Sequence, residues 1–131
     1  MSQKNLKYAI YIVLFLGASL HVFHVFTVFI SHEGLTSFSL GIMAWSLVPY
    51  MLCLIILKSV GTPVKAFIAG LLILIMDIWV HVEVFVSPSG STAAVGLVFM
   101  PLWNLVLVIP IGCIVGWVIE KYFKIETISK S

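Results

Sequence analysis

Four long apolar runs, separated by short polar stretches, make up most of the chain. A bilayer's hydrocarbon core, about 30 Å thick, is crossed by about 20 apolar helical residues at a rise of about 1.5 Å each. Four segments reach that length, at about Tyr8–Ile30, Phe38–Leu57, Val64–Val86 and Ala93–Ile119. The stretches between them, Ser31–Ser37, Lys58–Pro63 and Ser87–Thr92, are rich in the Gly, Ser, Thr and Pro that end helices. Strict alternation is absent and each run is about twice the length of a barrel strand, which excludes a transmembrane β-barrel. Short connections predict antiparallel neighbours. The expected fold is therefore all-α: an integral membrane four-helix bundle of antiparallel up-down topology. It forms one transmembrane domain over residues 1–131, with a short tail at 120–131.

Composition sharpens this picture. The chain is 62% hydrophobic and 9% charged, against about 45–50% and about 25% for a soluble domain. Its mean hydropathy is +1.21. All seven basic residues are lysines, so the bidentate phosphate contacts typical of nucleic-acid binders are missing and nucleic acid is excluded as a partner. Cys53 and Cys113 stand alone in different runs and read as small buried hydrophobes.

Orientation follows from the lysines. Lys4 and Lys7 precede the first run, Lys58 and Lys65 flank the second connection, and Lys121, Lys124 and Lys130 follow the fourth run. The first and third connections contain none, so the positive-inside rule places both termini in the cytoplasm, N-in and C-in. A bacterial inner membrane is the expected location, on size and loop economy. A competing reading makes the start a signal peptide cut near Gly17-Ala18-Ser19; the run continues through Ile30, longer than such signals, so the first helix is expected to be retained.

Ionisable groups inside a bilayer cost about 2.5–3.5 kcal/mol each at a helix centre and so mark functional positions. The third run holds Asp77 near mid-depth, with His81 and Glu83 further toward the outside. At about 100° per residue Asp77 and His81 share a face, while Glu83 points away. His21 and His24 lie on one face of the first run at a similar depth, and His32 and Glu33 follow just beyond its end. If the first and third helices touch, His21, His24, Asp77 and His81 form one polar cluster open to the outer side. Asn104, near mid-depth in the fourth run, is the further polar candidate. Pro101 and Pro110 predict a distorted fourth helix.

Imidazole and carboxylate are the donors a transition metal uses, and histidine also carries protons near neutral pH. His21, His24, His81 and Asp77 are thus candidate metal ligands. A haem between His81 and His21 or His24 is a weaker alternative. Against both stands a structural network in which Asp77 bonds His81, Asn104 or a main-chain group. Ala66 and Gly70, with Gly112 and Gly116, form small-x-x-x-small pairs suited to close packing of the third and fourth helices or of two protomers. Trp45, Trp117 and Tyr122 read as interface anchors.

Recognised catalytic signatures are missing: there is no G-x-S-x-G, H-E-x-x-H, C-x-x-C or glycine-rich phosphate loop. The leading expectation is a non-enzymatic membrane protein that binds or conducts a small cation or proton at Asp77, His81, His21 and His24, with Glu83 and Asn104 as further members. Two alternatives stand beside it. One is an accessory or inhibitory subunit of immunity type, bound to a membrane partner or to its own copies; the other is a membrane-embedded metal or haem enzyme subunit.

Overall fold

The computed structural model describes residues 3–27, 34–59, 63–86 and 93–123, and these are helical almost throughout. The elements are α1 (Gln3–Val25), α2 (Ser37–Ser59), α3 (Pro63–Phe85), α4 (Ala93–Trp103), a π-helical segment (Asn104–Val108) and α5 (Ile109–Phe123). Four spans are long and apolar enough to cross a membrane: Lys4–Val25, Ser37–Ser59, Pro63–Phe85 and Val98–Tyr122. The last joins α4, the π segment and α5 into one rod. His32, Glu33, Lys124, Lys130 and the serines at 87, 89 and 91 lie outside the described residues.

Local chemistry sets the helix ends. Ahead of α2, the Thr36 main-chain N–H donates to Ser39 Oγ at 3.0 Å and the Ser39 N–H donates to Thr36 Oγ1 at 3.1 Å. This reciprocal box satisfies two amides that a helix start leaves without partners. Pro63 opens α3, where its missing N–H costs nothing. α5 runs to Phe123, so the expected tail begins as helix, with Glu120 3.6 Å from Lys65.

Proline explains the π segment. Pro110 has no N–H, and its ring crowds the carbonyl four residues back, so an α-helical ladder fails there. The chain responds with a wider turn, in which the Ile109 N–H bonds the Asn104 carbonyl, an i to i−5 closure. The expected distortion of the fourth span is thus a π-helical turn.

Contacts between helices keep strict register. His21 meets Asp77 and His24 meets His81, while Leu14 and Val13 lie against Gly70, so residue numbers on α1 and α3 rise together. Asn104 meets Asp77, Gly112 meets Ala69 and Gly116 meets Lys65, so those on α3 and the fourth span run oppositely. A Cβ added at Gly112 would lie 2.5 Å from Ala69 Cα, and one at Gly116 would lie 2.7 Å from Lys65 Cα. Both glycines thus admit the α3 backbone itself. The α3 side of this seam is Lys65 and Ala69, not Ala66 and Gly70 as expected; Gly70 faces α1. One residue of helical rotation, about 100°, separates the two faces.

The core is built from Ile10, Leu14, Tyr50, Cys53, Leu57, Ala66, Ala69, Ile73, Val108 and Ile109. Polarity is arranged inside out relative to a water-soluble protein. Asp77, Asn104, His21 and His24 are buried, whereas Phe15 is 72% exposed and Trp79, Ile114 and Phe23 nearly as much. An apolar exterior around a polar centre is stable where the solvent is itself apolar.

Candidate functional site

Asp77 is the centre of the site. Its side chain is fully buried, with no exposed surface, and three helices send a group to it. From α2, the Tyr50 hydroxyl donates to Oδ2 at 2.5 Å. From α1, His21 Nε2 lies 2.7 Å from the same oxygen. From the π segment, Asn104 Nδ2 donates to Oδ1 at 2.8 Å. A carboxylate taken from water loses several kcal/mol of solvation unless charge-assisted hydrogen bonds replace it. Here each of the other three spans contributes one.

Each donor reaches Asp77 for a local reason. His21 is carried there by the parallel register of α1 and α3. Asn104 opens the π-helical turn, so the irregularity forced by Pro110 falls where the amide meets Asp77. Tyr50 depends on Gly17: any Cβ there would overlap Cε1, Cζ and Oη of the tyrosine ring. The glycine of α1 leaves the slot through which a large side chain of α2 reaches α3.

His81 is tied differently. Its Nδ1 lies 2.7 Å from the main-chain oxygen of Asp77, one helical turn back. A carbonyl only accepts, so Nδ1 carries the proton and, in the neutral ring, Nε2 is a bare lone pair. That nitrogen is buried and has no hydrogen-bond partner among the described residues. The His81 ring stands edge-on to His21 at 5.5 Å and to His24 at 5.1 Å between centroids, and Phe85 packs beside them.

The geometry therefore brings together His21, His24, Asp77, His81 and Asn104, all expected, and adds Tyr50, which sequence reasoning missed. Glu83 is exposed, about 600° of helical rotation beyond Asp77. The clustered residues are not arranged as ligands. Both Asp77 oxygens accept hydrogen bonds, His81 Nδ1 is turned to the backbone, and among the described residues no group of three or more His, Cys, Asp or Glu is disposed to hold a metal ion. Of the metal set expected from His21, His24, His81 and Asp77, the described structure joins His21 to Asp77 and His81 to the Asp77 main chain by hydrogen bonds. The rings named for a haem, His81 with His21 or His24, pack directly on one another here, at 5.5 and 5.1 Å between centroids.

The three expected anchors differ in their surroundings. Trp45 Nε1 donates to the Val98 carbonyl at 3.0 Å, tying α2 to α4. Trp117 and Tyr122 are exposed near the lysine-bearing end, with the Lys121 ammonium 5.0 Å from the Trp117 ring centre. No protein-family model, curated protein or solved structure matches this chain.

Proposed function

We propose that this chain is a multi-pass membrane protein, an antiparallel up-down bundle with both termini in the cytoplasm, that holds and passes a proton at the Asp77–His21 pair. The observation that carries the reading is a fully buried carboxylate held 2.7 Å from an imidazole and capped by Tyr50 and Asn104. One proton on this pair gives either aspartate with imidazolium or aspartic acid with imidazole, and both forms are neutral overall. Transfer between the two nitrogen and oxygen atoms then moves no net charge into the low-dielectric interior, where an uncompensated charge is most costly. His81 and His24 extend the imidazole series from the pair toward the surface between α1 and α3. The orientation rests on lysine placement. Among the described residues no group of three or more His, Cys, Asp or Glu is disposed to hold a metal ion, which favours a proton over a larger cation. The partner-binding alternative loses its specific support, since Gly112 and Gly116 are occupied by α3.

The test is proton movement in liposomes that enclose a pH-sensitive dye under a potassium diffusion potential. The intact protein should accelerate acidification well beyond protein-free vesicles, and Asp77→Asn should lower that rate at least tenfold while helical content and detergent-phase size stay unchanged. A wild-type rate equal to that of empty vesicles, or an Asp77→Asn rate equal to wild type, overturns the reading.

A further inference from the structure

A groove of about 620 Å³ is lined by α1, α3 and Thr27 just beyond α1, with Phe23, Ile78, Val82 and Phe85 among its apolar residues and His24 and His81 also in its lining. Its size lies within the range of about 300–1,000 Å³ typical of small-molecule sites. Its walls are apolar side chains of the bundle's outer surface, so what reaches it arrives through lipid. Its lining holds the one feature such walls do not explain. His81 is only 9% exposed, is fixed by its Nδ1–H bond to the Asp77 carbonyl, and holds an Nε2 lone pair that no described residue uses. A buried acceptor without a donor is unfavourable, and an incoming hydroxyl would satisfy it.

We infer that this groove binds a lipid-soluble phenol of the hydroquinone class, its ring among the aromatic side chains and its hydroxyl donating to His81 Nε2. Three observations select this occupant. The lining presents rings of His24, His81, Phe23 and Phe85, which favour a planar aromatic guest edge-on or offset. A phenolic O–H, with an acidity near that of tyrosine at about 10, is a stronger donor to imidazole than an aliphatic alcohol. A fatty acid, by contrast, would bring an ionisable carboxyl into an apolar groove, where burying its charged form is costly. Nε2 lies just beneath the groove surface, with the His24 and Phe85 rings packed on His81, so docking includes a small displacement of those rings. The inference requires membrane residence but not proton transport, and no electron transfer is part of it.

Calorimetry on the full chain in lipid nanodiscs tests it with three probes of equal tail length: a decyl benzohydroquinone kept reduced, its dimethyl ether, and a fatty acid. The hydroquinone should bind at least tenfold more tightly than the ether, which keeps the ring and tail but lacks the donor. His81→Phe should reduce hydroquinone affinity to that of the ether and leave ether binding unchanged. Val82→Trp, at a wall position 46% exposed and outside the core, should abolish binding of both without affecting folding. Equal affinity for hydroquinone and ether, tightest binding of the fatty acid, or unchanged binding in Val82→Trp would each overturn the inference. Because binding is read without proton movement, its failure is separable from that of the proton reading: Asp77→Asn discs should still bind the hydroquinone.

Discussion

Gly17→Ala is the sharpest perturbation of the site because it removes no polar atom. On an exposed helix face, exchanging glycine for alanine stabilises by about 1 kcal/mol. At Gly17 the new methyl group would overlap the far edge of the Tyr50 ring, and Tyr50 is buried against the core. Accommodating it by overpacking costs about 1–3 kcal/mol. Displacing the ring also breaks the Tyr50–Asp77 bond, and a hydrogen bond to a charged group is worth about 1.5–3 kcal/mol. The expected net destabilisation is therefore about 2–5 kcal/mol, measured as a shift in the denaturant unfolding curve in micelles and followed by tryptophan fluorescence. A Tyr50→Ala background removes the clash, so there the same substitution should be neutral or stabilising. Equal effects of Gly17→Ala in the two backgrounds, or a variant as stable as wild type, would refute the idea that this glycine exists to admit the tyrosine.

Further substitutions probe the remaining contacts. Asn104→Leu should destabilise by about 1.5–3 kcal/mol by withdrawing a donor from a buried carboxylate, a loss readable in the same unfolding assay and absent in an Asp77→Leu background. Pro110→Ala restores an N–H and lets an α-helical turn replace the π turn. The rotated Asn104 should then leave Asp77, so this variant should reproduce the destabilisation of Asn104→Leu while its helix content rises in circular dichroism. Gly112→Leu and Gly116→Leu force side chains into the α3 backbone and should unfold the fourth span from α3. Because that seam lies within one chain, the loss in thermal stability should not vary with protein concentration. Lys65→Met should cost under about 1 kcal/mol, since its partner Glu120 is partly solvated.

Which parts were legible in the sequence follows from which signals are one-dimensional. Apolar run length located all four spans, with ends displaced by a few residues, because lipid thickness acts on the sum of a segment. Asp77 and His81 were legible as a pair because four residues on a helix is a fixed rotation. The meeting of α1 with α3, a conjecture from matched depth, appears in the structure as the His21–Asp77 contact. Tyr50 was hidden because a tyrosine after Pro49 in an apolar run looks like any membrane aromatic; its partner signal, a glycine in the middle of α1, gains meaning only when the two helices are superposed. The small-residue seam was assigned to the wrong neighbouring face of α3, since spacing alone does not distinguish Lys65 and Ala69 from Ala66 and Gly70. Glu83 could be set apart by rotation alone, and the structure leaves it exposed.

A carboxyl group whose three partners come from three other segments has a consequence for biogenesis. When α3 leaves the ribosome, α1 and α2 precede it but Asn104 has yet to be made, so the acid must enter the membrane with an incomplete set of donors. If the spans enter a membrane one by one, insertion of α3 by itself is opposed by about 2.5–3.5 kcal/mol from this single residue, a cost that contact with α1 and α2 would offset. A chain truncated before the fourth span should thus remain open to quality-control proteases. The carboxyl group buried at the centre of the finished bundle would thus also act as a checkpoint on its assembly.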